Sequence, residues 1–190
     1  MFTLPVVMPL TVCFLIYLGV DIYRNRMSLS MRQLYKIGFF AYLLVVFHLT
    51  MGSIHLPPEN LSSAHAQLLP FFFIYELLYI YSGDSFYFMN TLKLNFFNFL
   101  LLIPFGVFLS VLFKEISFFK RIGIIMLFTL GIEVTQHMLS LYGFLLSRNF
   151  NMDDIILNTA GGALGLLLGI WVNKYLDSWR NRRHSPAQAS

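Results

Sequence analysis

Hydrophobic runs of about twenty residues recur along nearly the whole chain, separated by short breaks in which basic residues and prolines collect. At 1.5 Å per residue, a helix of that length crosses the roughly 30 Å hydrocarbon core of a bilayer. With 57% hydrophobic and only 12% charged residues, the chain carries about half the charge of a soluble domain. The expected fold is therefore all-α: a polytopic membrane bundle of five transmembrane helices. A single domain would cover residues 1–184, followed by a disordered tail at 185–190.

The five runs are 4–23, 37–56, 96–113, 122–144 and 155–173. The first has Pro5 and Pro9 in its opening turns, where a missing N–H costs least. It lacks the basic start and small-residue cleavage site of a signal peptide, so it reads as a retained helix. Pro57 and Pro58 stop the second run. Residues 57–95 form a longer mixed segment holding an aromatic patch, 68–81, that is rich in Phe and Tyr and carries Glu76. That patch is short for a crossing and its composition suits an interface, so a re-entrant or interfacial segment is expected there.

Charge placement gives an orientation. Threading five spans alternately puts eleven of the thirteen basic residues on one side: Arg24, Arg26, Arg32, Lys36, Lys114, Lys120, Arg121, Lys174, Arg180, Arg182 and Arg183. Lys93 and Arg148 fall opposite. Basic loops stay cytoplasmic, so a cell-membrane protein with its N-terminus outside and its C-terminus inside is expected. A crossing by the aromatic patch would send the later basic segments outward. The net charge of +4 thus reports topology and does not imply a nucleic-acid partner. Cys13, the single cysteine, has no disulfide partner.

Polar groups inside hydrocarbon carry more information than the same groups on a soluble surface, because each needs a partner or water. Glu133, Gln136 and Ser140 share one face of the fourth run, with His137 nearly opposite. Arg148, Asp153 and Asp154 lie at the outer mouth, and Asn158 sits one turn deeper than Asp154 on the same face. Either Asp also suits a helix N-terminus as a cap, while the planar fork of Arg148 suits an acid or a ligand anion. Gly161, Gly165 and Gly169 repeat every four residues, with Gly162 and Ala163 beside them, as in closely packed helix pairs. In the third run Asn98 precedes Pro104-Phe105-Gly106, which is expected to weaken the helix and free a carbonyl in mid-membrane. His48 is a core histidine or a further wall of the same cavity.

No zincin pair, cysteine cluster, phosphate-binding glycine loop or serine-nucleophile motif occurs. No cofactor or metal is expected.

Asn98 with Pro104-Phe105-Gly106, then Glu133-x-x-Gln136, Arg148 and Asp153-Asp154-x-x-x-Asn158-x-x-Gly161-Gly162 together resemble the VanZ-like family of bacterial membrane proteins. Pro70-Phe71 is similar to an earlier Pro-Phe element of that family. The resemblance covers roughly residues 70–165, and the first two runs agree only in hydropathy. It implies a role in low-level resistance to teicoplanin and similar lipidated glycopeptide antibiotics, or in general envelope physiology, with no settled activity. The ligand-binding residues it implies are Asn98, Glu133, Gln136, Arg148, Asp153, Asp154 and Asn158. Two function classes remain at this point. One is a binding protein for an envelope amphiphile, either a lipidated glycopeptide or a cell-wall lipid. The other is an intramembrane enzyme on an envelope lipid, with Glu133 or an Asp as acid or base. Membrane lipids are partners in both. Carboxylates are present and no nucleophile is identifiable, which favours binding.

Overall fold

The computed structural model describes residues 11–17, 19–20, 31–52, 54–55, 57–58, 65–80, 83, 85–145 and 148–184. In chain order these form α1 (Met31–Met51), β1 (Ala66–Gln67), α2 (Phe72–Tyr75) running on as a π turn (Glu76–Ile80), α3 (Ser85–Leu101), α4 (Ile103–Leu112), α5 (Phe118–Leu141), β2 (Phe150–Asn151) and α6 (Met152–His184). Residues 11–17 and 19–20 are also helical. The rest of the first hydrophobic run, and the tail at 185–190, lie outside the described residues.

Among the described residues, four helical stretches are long and apolar enough to cross a membrane: Met31–Met51, Ser85–Leu112, Phe118–Leu141 and Met152–Arg182. The chain is a helical membrane protein. Its helix ends depart from the hydropathy limits. The second stretch, which holds the 96–113 run, begins at Ser85 instead of residue 96, because Asn90 and Lys93 interrupt the apolar run without interrupting the helix. α1 starts six residues before its apolar run and α6 extends well past the end of its run. Hydropathy marks the part of a helix suited to hydrocarbon, and charged turns continue beyond it. The all-α description needs one small amendment, since β1 and β2 pair in parallel, Ala66 with Phe150 and Gln67 with Asn151.

The glycine repeat fixes how the bundle closes. A β-carbon on Gly161 would overlap the Phe99 carbonyl oxygen, one on Gly165 the Ile103 carbonyl, and one on Gly169 the Ser110 hydroxyl. Gly106 of α4 in turn rests on the Gly162 carbonyl of α6. α6 therefore lies backbone to backbone against α3 and α4, as small residues permit in membranes. Around this seam Leu102, Phe105, Leu109, Ile125 and Leu166 form the central apolar cluster, with Phe105 and Phe128 stacked at 4.4 Å. Elsewhere the large apolar side chains point outward: Leu127 is 66% exposed and Trp171 67%, as lipid-facing positions would be.

The second stretch breaks at Leu102, between α3 and α4, two residues before Pro104. The Tyr42 hydroxyl of α1 donates to the Leu101 carbonyl at 2.7 Å and accepts from the Phe105 backbone N–H. A tyrosine thus occupies the place of the missing turn of helix hydrogen bonding, one of the identifiable causes of a kink. Pro104 has no N–H for the Leu100 carbonyl four residues back, and at the next carbonyl, Leu101, a protein side chain supplies the hydrogen bond.

Candidate functional site

A cavity of about 870 Å³ lies between α1, α3, α5 and the start of α6, with Glu76 of the π turn also on its wall. Glu133 and Gln136 reach it from α5, and Asp154 and Asn158 from α6, while Arg148 and Asn151 come from the connection between those helices and Asn98 from α3. Six of the seven residues implied by the family resemblance therefore line one cavity.

The α5 face is built as its spacing predicts. Glu133 is 3% exposed, Gln136 7% and Ser140 fully buried. Gln136 donates to the Thr50 carbonyl at 2.6 Å, which satisfies a carbonyl left open at the C-terminal end of α1. Ser140 Oγ accepts the Arg148 N–H at 3.2 Å. α5 ends in a Schellman turn: Phe144 N–H returns to the Leu139 carbonyl at 2.8 Å and Gly143 N–H to that of Ser140 at 3.0 Å. Gly143, at φ 76°, supplies the left-handed residue this turn needs. The chain reversal brings residue 148 back over the cavity.

At the head of α6 the cap is Asn151, not either aspartate. Its Oδ1 accepts the Asp153 N–H at 3.0 Å, as an N-cap does. The same residue joins the two helices: its backbone N–H donates to Glu133 Oε2 at 3.2 Å, and its Nδ2 to Asp154 Oδ1 at 3.0 Å. The Asn98 side chain completes a second hydrogen bond to Asp154. Arg148 is exposed at the mouth, close enough for its charge to act on both Glu133 and Asp154. Asn158 is 2% exposed, and its Oδ1 has no partner among the described residues. An unpaired buried carbonyl of this kind costs about 1–3 kcal/mol.

Asp153 turns away from the cavity. It is 2% exposed, and its Oδ2 accepts the Phe73 N–H at 2.8 Å, at the start of α2. Phe71, at φ 61°, holds the turn that aims this amide at α6. Together with the β1–β2 bridge and the bond from His65 N–H to Asn149 Oδ1 at 2.9 Å, it ties the aromatic segment to the connection between α5 and α6. Glu76 is thereby held on the cavity wall. Burial raises its pKa above the ordinary 4.5, and the nearby Asp153 raises it further.

Several lining residues escaped the sequence reading. Thr91 and Asn95 were not singled out, although with Asn98 they recur at i, i+4 and i+7, a polar stripe on α3 that helical spacing could have shown. Asn151 carried no such signal, because its role depends on where the loop turns. Of the histidines, His48 is exposed and away from the cavity, and His137 meets Phe150 edge to face at 6.3 Å. No group of three or more metal-ligating side chains occurs among the described residues.

Comparison with known proteins adds two findings. A family model described as VanZ/LLP1 matches residues 39–173. Protein VanZ of Enterococcus faecium is 34% identical over 80 residues, which cover 42% of this chain and 46% of that protein. The match thus spans about half the length of that curated relative. No solved structure matches the chain.

Proposed function

This chain belongs to the VanZ/LLP1 family, and from that premise we propose that it binds an envelope amphiphile in the cavity between α1, α3, α5 and α6. Binding of a lipidated glycopeptide or a cell-wall lipid there gives low-level resistance to teicoplanin and other lipidated glycopeptides, as the resemblance to VanZ-like proteins implies. The observation that carries this reading is the mixed lining of one cavity, where the apolar Val45, Leu49, Leu94 and Phe97 stand together with Glu133, Arg148, Asp154 and Asn158. An amphiphile presents both kinds of surface. Among the described residues the lining holds carboxylates but no serine or cysteine, which supports binding over acyl transfer.

The reading includes five transmembrane helices with the cavity mouth facing outward, the N-terminus outside and the C-terminus cytoplasmic. Residues 68–81 then lie as a re-entrant or interfacial segment on the outer side. The test is glycopeptide sensitivity of a strain carrying each variant at matched membrane abundance. Asp154→Asn and Arg148→Ala should each remove protection against teicoplanin while the melting temperature stays near wild type. Vancomycin, which lacks the acyl chain, should be affected less. Wild-type protection by both variants would eliminate the site, and no protection by the wild type would remove the antibiotic from its role.

A further inference from the structure

Within the amphiphile-binding reading, hydrogen-bond supply and demand in the cavity narrow the head group. Three of its lining residues are acids, Glu76, Glu133 and Asp154, and one, Arg148, is basic. Each carboxylate offers about four acceptor sites. Glu133 spends one on the Asn151 N–H, and Asp154 receives the Asn151 and Asn98 side chains. The one donor group on Gln136 that faces α1 is spent on the Thr50 carbonyl. Acceptor capacity is left over, and the deepest acceptor, Asn158 Oδ1, is buried without any partner among the described residues.

The chain-binding part of the cavity has an entrance. α1 packs on α4 and α5, and α3 packs on α6; α1 touches the end of α3 at the Tyr42–Leu101 hydrogen bond, and beyond that contact Val45 and Leu49 of α1 and Leu94 and Phe97 of α3 line the cavity between them. Its rims are Val45, 55% exposed, and Leu49, 58%, facing Leu94, 55%, and Phe97, 61%. Apolar rims open toward lipid fit an acyl chain lying sideways between the two helices.

We infer that the cavity takes an acylated amphiphile whose head group carries a primary ammonium. Such a group brings three N–H donors and one positive charge, matched to Glu133, Asp154 and the orphaned Asn158 oxygen. A quaternary ammonium has the charge but no donor. Arg148 at the mouth takes the neighbouring anion of a zwitterionic head group, and the chain leaves through the α1–α3 cleft.

The experiment offers the purified full-length protein, in a nonionic detergent, an equimolar mixture of phosphatidylethanolamine, phosphatidylcholine and phosphatidylglycerol with identical acyl chains. Retained lipid is counted by native mass spectrometry. All three lipids carry the phosphate and the same chains, so they differ in the head group alone: a primary ammonium, a quaternary ammonium or an uncharged glycerol with hydroxyl donors. Phosphatidylethanolamine should be retained about tenfold over each of the others, the factor for roughly one hydrogen bond. Asn158→Leu and the shape-preserving Asp154→Asn should each abolish the preference. Leu49→Trp, which fills the cleft, should lower retention of all three lipids while leaving the preference in place. Equal retention of phosphatidylcholine and phosphatidylethanolamine overturns the donor requirement but leaves amphiphile binding standing. Preference for phosphatidylglycerol overturns the charge assignment in the same way. Retention of no lipid overturns both this inference and the reading beneath it.

Discussion

Asn151 shows how much one residue can organise at this site. Its side chain caps α6 and holds Asp154, and its backbone amide holds Glu133, so the two acids of separate helices share one anchor. Glu76 is held less directly, through the tie between Asp153 and the start of α2. Its pKa is raised in the folded protein, so the fold binds its proton more tightly than the unfolded chain does. The stabilisation is fully present below the ordinary carboxylate value and is lost as pH rises through the raised value. Melting temperature should therefore fall with rising pH across that window. Glu76→Gln should flatten the dependence and leave the protein more stable than wild type at pH 8, as a thermal scan in detergent at pH 4 to 8 would reveal. A variant with the wild-type pH profile would detach Glu76 from this role. The acids and amides on α5 and α6 were legible in the sequence, because helical spacing carries them to one face. Asn151 was not, since loop geometry decides where it points, and Asp153, one residue before Asp154 on α6, is turned about 100° from it by the helical period.

The elements follow from local chemistry in a similarly uneven way. Apolar runs locate four long helices, but their ends run past the apolar limits, and the break at Leu102 depends on Tyr42 arriving from α1. The four-residue glycine spacing is the most reliable element-scale signal, since it needs only the helical period to predict a close approach. Gly165 meets the Ile103 carbonyl of α4, which is backbone and cannot swing aside. Gly165→Leu should force α6 from α4 and cost about 3 kcal/mol or more. The measurement is the melting temperature in detergent, set beside Gly131→Leu, where nothing stands in the way of a side chain. Equal stability of the two variants would mean that the α4–α6 seam is looser than its geometry indicates.

At the scale of the whole molecule the question is which end faces out and how often the chain crosses. Arg32 and Lys36 share a smaller cavity with Leu112 and Phe113, so the basic start of α1 lies beside the end of α4. At the other end His55 N–H donates to the Phe144 carbonyl at 2.9 Å, and β1 pairs with β2. That pairing carries a parity argument. Between Gln67 and Phe150 the chain must cross an even number of times, and α3–α4 with α5 already supply two crossings. Residues 72–80 then add none, and nine helical residues rise only about 14 Å, half a hydrocarbon core. The proposed orientation, with the basic end cytoplasmic, puts Pro58 and Tyr142 outside and Lys114 inside. In a Cys13→Ser background, Pro58→Cys and Tyr142→Cys should react with a membrane-impermeant thiol reagent in intact cells. Lys114→Cys should react only after the cells are opened. Labelling of Lys114→Cys alone would invert the molecule. Labelling of Pro58→Cys and Lys114→Cys without Tyr142→Cys would place a crossing inside the aromatic segment and remove the outer cavity from the outer side.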